Sequence, residues 1–338
     1  MDRVPGAVGS VVRVERLTKE FRVLRHRSGL WGAVRNLVSR EGTVVRAVDG
    51  VSFAIESGEF VGYVGPNGAG KSTTIKMLAG ILVPTSGLVE VGGLIPHRKR
   101  TLNARQIGVV FGQRTQLWWD LPPLDGFRLL GRLYRVERAT LERRLEEFTS
   151  LLGLERLLET PVRKLSLGEK MRCELVGALL YDPRILFLDE PTIGLDVVAK
   201  QQIRMFLQQI NREKSTTVLL TSHDLDDIES LCRRVLVIDR GSILHDGSVD
   251  SLKRHFGNLR RLVFQLSDPG RAELSLPAGA FVESLREGHL EIGFDADRVT
   301  APEVVRAVMD RFDILDFQLR EIEIEDVVRR IYQRDDAG

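Results

Sequence analysis

Nine residues, Gly65-Pro66-Asn67-Gly68-Ala69-Gly70-Lys71-Ser72-Thr73, follow directly on the apolar pentapeptide Phe60–Val64. An apolar run that breaks into glycines, then a lysine and two hydroxyls at the head of a helical pattern, reads as strand, phosphate-binding loop and helix. That unit belongs to parallel α/β sheets. Gly65, Gly68 and Gly70 let backbone N–H groups turn inward where side chains would block the approach, with Asn67 in the turn between them. The helix start adds partial positive charge. Lys71 adds a full one for β and γ phosphates, and the Ser72 hydroxyl, beside Thr73, is placed for Mg²⁺.

Further short apolar runs recur at residues 107–111, 185–188, 217–221 and 235–238, separated by helical patterns, so a parallel sheet with crossovers is expected. Residues 122–181 carry helical periodicity throughout and read as an all-helical lobe inserted into the sheet domain. Upstream, residues 11–17 and 51–55 alternate apolar and polar as half-buried strands do. Between them residues 25–46 read as an insertion, with Leu30, Trp31, Val34, Leu37 and Val38 at helical spacing on one face. After residue 256 the pattern changes to short strands near 259–266, 290–294 and 314–319, a helix over 302–312 and a last helix over 323–332. The expected division is therefore a cassette over 1–256 and a small α+β domain over 257–338.

The segment Ile-Leu-Phe-Leu-Asp-Glu-Pro, residues 185–191, is a buried strand ending in adjacent carboxylates. Successive residues at a strand end point in different directions. Asp189 can then orient a Mg²⁺ shell while Glu190 faces the γ-phosphate and polarises an attacking water. The pair is expected at the carboxyl edge of the sheet, where α/β ligands sit.

With these motifs in order, residues 11–250 resemble the nucleotide-binding subunit of an ABC transporter. The resemblance implies a P-loop NTPase fold: a RecA-like parallel-sheet core, an antiparallel β subdomain and the inserted helical lobe. It assigns Gln113, after the second core strand, to Mg²⁺ or the attacking water, and Phe21 to stacking on adenine. It makes Leu165-Ser166-Leu167-Gly168-Glu169 the signature, Asp196 part of the loop after the carboxylates, and His223 the group bridging the γ-phosphate and bracing Glu190. The cofactors implied are ATP and Mg²⁺. Ser166 and Gly168 stand at a helix N-terminus, a second anion site. One chain cannot easily aim two such sites at one γ-phosphate, and the family's arrangement is a head-to-tail dimer in which each ATP lies between the phosphate loop of one subunit and the signature of the other. Leu167 and Glu169 depart from the family's LSGGQ wording, so a weaker closed dimer is expected from a narrower loop and a carboxylate near phosphate.

The family also implies separate transmembrane subunits as partners and a peripheral place on the cytoplasmic face of the inner membrane. Adjacent Trp118 and Trp119 in a predicted loop suit a partner groove. The wording of residues 112–122, 166–175 and 187–200 is similar to bacterial drug- or viologen-export ATPases. A soluble ABC ATPase working on ribosomes or DNA is the competing class. It is disfavoured because one GKST and one signature occur, and no sustained heptads separate them.

Apolar residues make up 43% and charged residues 28%, ordinary globular usage. No apolar run approaches the ~20 residues of a spanning helix, and the first ten residues lack the apolar core of a secretory signal. Cys173 and Cys232 have no metal spacing and read as two buried small hydrophobes, consistent with a reducing compartment. The net charge of +2 hides an asymmetry: residues 1–46 hold 10 Lys+Arg against 4 Asp+Glu, and residues 257–338 hold 11 against 17. The basic front carries no aromatic-interleaved or zinc-based pattern, so nucleic acid is not expected as a partner.

Overall fold

The computed structural model describes residues 9–24, 42–112, 115–222, 224–255, 259–267, 274–286 and 288–321. The chain divides into two units, Met1–Asp246 and Gly247–Gly338. The first opens with β1 (Ser10–Leu24), β2 (Gly42–Glu56), β3 (Phe60–Val64), α1 (Lys71–Leu78) and β4 (Ser86–Val91). Strand β1 pairs antiparallel with β2 on one side and β4 on the other. Its alternation buries Val12, Val14 and Leu17. At Arg16, with φ 44°, both ladders shift register, a bulge that twists the sheet over the core.

Next come α2 (Arg100–Gln106) and β5 (Ile107–Phe111), followed by the helices α3 (Pro123–Leu133), α4 (Arg138–Leu151) and α5 (Leu167–Leu179). The chain then returns through β6 (Ile185–Asp189), α6 (Val197–Lys214), β7 (Thr217–Ser222), α7 (Leu225–Leu231), β8 (Arg234–Asp239) and β9 (Ser242–Ser248). The second sheet has the order β5-β6-β7-β3-β8-β9. Its pairings from β5 through β8 are parallel. Every residue of β3, β6 and β7 is buried, as strands covered on both faces require. This order sets the carboxyl ends of β6 and β7 beside that of β3, so the residues after position 64 meet those after 188 and 221. A shared core joins Val14, Phe53 and Ile55 of the antiparallel sheet to Tyr63, Ile75 and Phe187.

The second unit contains α8 (Val249–His255), β10 (Leu259–Leu266), β11 (Ala280–Arg286), β12 (His289–Asp295), α9 (Ala301–Met309) and β13 (Ile314–Glu321). Its antiparallel sheet runs β11-β12-β10-β13. Leu262, Phe264, Ile292 and Phe294 form its core with Val304 and Val308 of α9.

Two readings differ from the sequence expectation. Residues 42–46, read as the end of the insertion, belong to β2: Leu24 pairs with Gly42 and Phe21 with Val45, and the β-branched run Thr43, Val44, Val45 suits that ladder. Strands β4, β9 and β11 were absent from the sequence reading. Positions 25–41, with the five apolar residues at helical spacing, lie outside the described residues, as do Gln113, His223 and the expected helix over 323–332.

Candidate functional site

The loop after β3 is shaped by close backbone approach. A Cβ on Gly65 would lie 2.3 Å from the Ile238 carbonyl oxygen, and one on Gly70 2.3 Å from that of Ala47. Gly68 and Gly70 hold φ +85° and +105°, conformations side chains resist. Helix α1 then begins with no side-chain cap and no acidic residue in its first turn. The N–H groups of Lys71, Ser72 and Thr73 therefore leave the helix end without intrahelical acceptors, an anion cradle built from backbone. Behind it Thr74 hydrogen-bonds back to the Gly70 carbonyl at 3.1 Å and meets the Tyr63 hydroxyl at 3.3 Å, anchoring the turn to β3. Asn67 stands exposed at the tip.

Lys71 is buried, and its ammonium donates to the carbonyls of Gly65 at 2.5 Å and Pro66 at 3.1 Å, with Glu190 Oε1 4.0 Å away. Burial lowers its pKa, opposed by the carboxylates of Glu190 and Asp189. An anionic oxygen in the cradle would compensate that desolvation. Ser72 donates to Asp189 Oδ1 at 3.1 Å, and Thr221 donates to the same oxygen at 2.8 Å. A hydroxyl and a carboxylate side by side are the hard-oxygen donors that Mg²⁺ takes, so the residues present fit that ion.

Glu190 sits in a left-handed turn, φ 54°, and its N–H donates to both the carbonyl and the hydroxyl of Thr221 at 3.1 Å. Opposite, the Gly112 N–H donates to the Asp189 carbonyl at 2.8 Å, and a Cβ on Gly112 would lie 2.2 Å from the Glu190 carbonyl oxygen. The two adjacent carboxylates are thus held by β7 on one side and the end of β5 on the other. Thr221 and Gly112 were not singled out from sequence, because their contacts with residues 189 and 190 cross the sheet.

Ser166 caps α5. Its hydroxyl oxygen accepts the Glu169 N–H at 3.3 Å, and the Glu169 carboxylate accepts the Ser166 N–H at 2.8 Å, a complete capping box. Glu169 therefore turns its charge onto its own helix cap, and the Ser166 proton is not consumed by that bond. Gly168 and Gly194 mark two tight contacts: a Cβ on Gly168 would meet Ala199 Cβ at 3.2 Å, and one on Gly194 would meet Leu167 Cδ2 at 3.2 Å. Leu167 thus closes over the loop that leads to Asp196, itself the cap of α6 through the Ala199 N–H at 2.8 Å. Among the described residues no hydrogen bond joins Ser166 or Gly168 to the phosphate loop. Phe21 is exposed on β1, with Lys19 Nζ 5.2 Å from its ring centre.

From Thr115 onward the chain is gripped by Glu174 of α5, a buried carboxylate not singled out from sequence. Its Oε1 accepts the Thr115 hydroxyl, the Gln116 N–H at 2.8 Å and the Leu117 N–H at 3.3 Å. Burial pushes its pKa up, partly offset by these bonds. A raised folded pKa contributes stability below the ordinary carboxylate range and loses it as pH rises through the raised value. Glu174→Gln keeps the accepting oxygen and cannot titrate, so its stability relative to wild type is expected to rise with pH. Glu174→Leu strands the donors and is expected to cost about 3 kcal/mol. Urea titrations of the three chains across pH check both. Beyond this segment Trp118 and Trp119 are 39% and 52% exposed, and Lys170 of α5 stacks 4.7 Å over the Trp119 ring.

A family model described as ABC transporter matches residues 48–193. The ABC transporter ATP-binding protein NatA of Bacillus subtilis is 35% identical over 209 residues, covering 62% of this chain and 85% of that protein. The linearmycin resistance ATP-binding protein LnrL of the same organism is 30% identical over 286 residues, covering 82% and 91%. Among solved structures, an ATP-binding subunit of an ABC transporter superposes with TM-score 0.60 and 26% identity over 73% of this chain and 93% of that one. A dimeric ATP-binding cassette bound to ADP and Pi gives TM-score 0.58 and 26% identity over 70% and 98%. With the phosphate loop, the paired carboxylates and the capped signature helix on one scaffold, the chain belongs to the ABC transporter family as an ATP-binding protein.

Proposed function

We propose that this subunit binds ATP with Mg²⁺, hydrolyses it as a head-to-tail dimer, and powers export of a small molecule or drug through separate membrane subunits. The observation that carries the reading is the cluster at the carboxyl ends of β3, β6 and β7. There an uncapped helix end, a buried ammonium, a serine hydroxyl and two differently held carboxylates meet, with Ser72 hydrogen-bonded to Asp189 and Lys71 4.0 Å from Glu190. The backbone N–H groups of residues 71–73 and Lys71 bind the phosphates. Ser72 and Asp189, with Gln113, hold Mg²⁺, which supplies positive charge against the phosphate oxygens. Glu190 accepts a proton from the attacking water, and His223 braces it. Phe21 offers its ring to the adenine. Ser166, Gly168 and Asp196 face the nucleotide of the second subunit. The names of relatives support the export reading: one is a bacitracin transport ATP-binding protein, and another a Nod factor export ATP-binding protein. No helix among the described residues is long and apolar enough to cross a membrane, and peripheral attachment at the cytoplasmic face follows from the need for membrane subunits.

The hydrolytic part is tested by Glu190→Gln, which should bind MgATP, associate into dimers and not turn over. The transport part is tested on the exposed indoles. Trp118→Ala with Trp119→Ala should leave MgATP affinity unchanged and weaken capture of the membrane subunits by about thirtyfold, the effect of losing a central aromatic anchor. Capture at wild-type strength would remove the docking role.

A further inference from the structure

We propose that Asp227 is a positioning residue for hydrolysis: together with Arg204 it locks the turn that carries Glu190 to the end of β7. The proposal rests on the reading of Glu190 as the group that polarises water. Asp227, on α7, is 0% exposed. One of its carboxylate oxygens accepts the hydroxyls of Thr192 and of Ser222, the latter at 3.3 Å. The other accepts from Arg204 Nε of α6 at 2.5 Å. Thr192 lies two residues past Glu190. Ser222 follows Thr221, whose carbonyl and hydroxyl take the Glu190 N–H. The chain from Glu190 to Thr192, the carboxylate of Asp227, and Ser222 with Thr221 therefore close a ring that returns to Glu190.

The ring has a direction. Arg204 donates to one carboxylate oxygen of Asp227, and the hydroxyls of Thr192 and Ser222 both donate to the other. Ser222 is then left to accept, and it takes the Asp224 N–H at 2.9 Å. Asp224 in turn caps α7 through the Asp226 N–H at 3.2 Å, and it pairs with Lys200, one turn before Arg204 on α6. Two cations spaced four residues apart on α6 thus grip two carboxylates three residues apart around the start of α7. The left-handed turn at Glu190 persists only where its surroundings over-determine it, and this ring does so from both sides. Helix α6 begins at the Asp196 cap, so the same clamp joins that loop to the end of β7.

The test uses the whole chain, with MgATP affinity, KM, kcat and melting temperature measured on Asp227→Asn, Thr192→Val, Thr192→Ser and Glu190→Gln. Thr192→Val keeps the side-chain shape and the Asp227–Arg204 pair while deleting one donor of the ring, so it decides the matter even if Asp227→Asn does not fold. Expected for Thr192→Val is a kcat about tenfold lower with affinity and KM within about twofold, the signature of a slightly misplaced catalytic group. Thr192→Ser, which restores the hydroxyl, should recover kcat. A purely structural role predicts a lower melting temperature with kcat unchanged, and that result overturns the proposal. If Glu190→Gln turns over at the wild-type rate, the reading of Glu190 fails and the proposal falls with it. If Glu190→Gln is inactive while Thr192→Val keeps wild-type kcat, the positioning role alone is wrong.

Discussion

Glu190→Gln is expected to bind MgATP within about threefold of wild type and to lose steady-state hydrolysis by at least about a hundredfold, the usual reach of a positioned general base. The substitution is nearly isosteric, so the turn that holds residue 190 at φ 54° meets no new strain, and the N–H bonds to Thr221 are backbone and survive. The Lys71 ammonium, 4.0 Å from the replaced oxygen, keeps its carbonyl partners in the loop. On the proposed reading, what disappears is the capacity to take a proton from water beside the Asp189 group. Ground-state binding would rest on the cradle and on Ser72 with Asp189, which the variant leaves alone. The loss should therefore fall on kcat and leave the dissociation constant in place. Phosphate release and nucleotide titration on the same preparation separate these. Turnover of Glu190→Gln at the wild-type rate would show that residue 190 is not the base, and a lost affinity would show that it binds nucleotide in the ground state.

The phosphate loop and the strands feeding it were readable because their signals are local. An apolar pentapeptide bounded by charge and glycine places β3, and the same logic finds β5, β6, β7 and β8 within about a residue at each end. Strand β9 escaped because few of its residues are apolar and none is buried, and β4 because its apolar stretch of Leu88, Val89 and Val91 is short and follows the exposed Ser86 and Gly87. Such strands exist through their neighbours, β4 through its ladder with β1, which no window of sequence contains. The site divides the same way. Gly65, Gly70, Lys71 and Ser72 could be named from spacing, since one turn of chain carries them all. Thr221, Gly112 and Asp227 act across the sheet. Thr221 reads as one more β-branched strand residue until the topology sets β7 against β6. Asp227 looks like one acid among several in a polar helix start until burial singles it out. Glu174, a carboxylate set between Cys173 and Leu175 in the apolar half of α5, was the one such group whose anomaly was visible in the sequence.

Gly70→Ala is expected to cost the nucleotide-free chain about 3 kcal/mol or more and to weaken MgATP binding by at least about a hundredfold, because it combines backbone strain with a collision. The residue caps α1 at φ 105° and ψ 1°, a conformation for which an L side chain is poorly suited. A methyl there would stand 2.3 Å from the Ala47 carbonyl oxygen and 3.2 Å from Val48 Cγ2, both in β2. That carbonyl sits at a register shift of β2, between the pairs Lys19–Val48 and Glu20–Arg46 and beside the buried Val48, so it is tied on both sides and does not step aside cheaply. The loop must yield instead, and with it the first-turn N–H groups and the Lys71 ammonium. Gly68 supplies the contrast within the same turn: its φ is +85°, yet nothing lies within 4 Å of the position its Cβ would take. Gly68→Ala should therefore pay only the conformational penalty, about 1–2 kcal/mol. Urea denaturation of the two nucleotide-free variants isolates the collision, since neither measurement involves a ligand. Equal losses would mean that strain alone governs this turn and that β2 gives way to a methyl group. A larger loss at position 70 would show that the cradle is held in shape by the strand behind it, so that the antiparallel sheet, remote from the chemistry, sets where the phosphate-binding groups point.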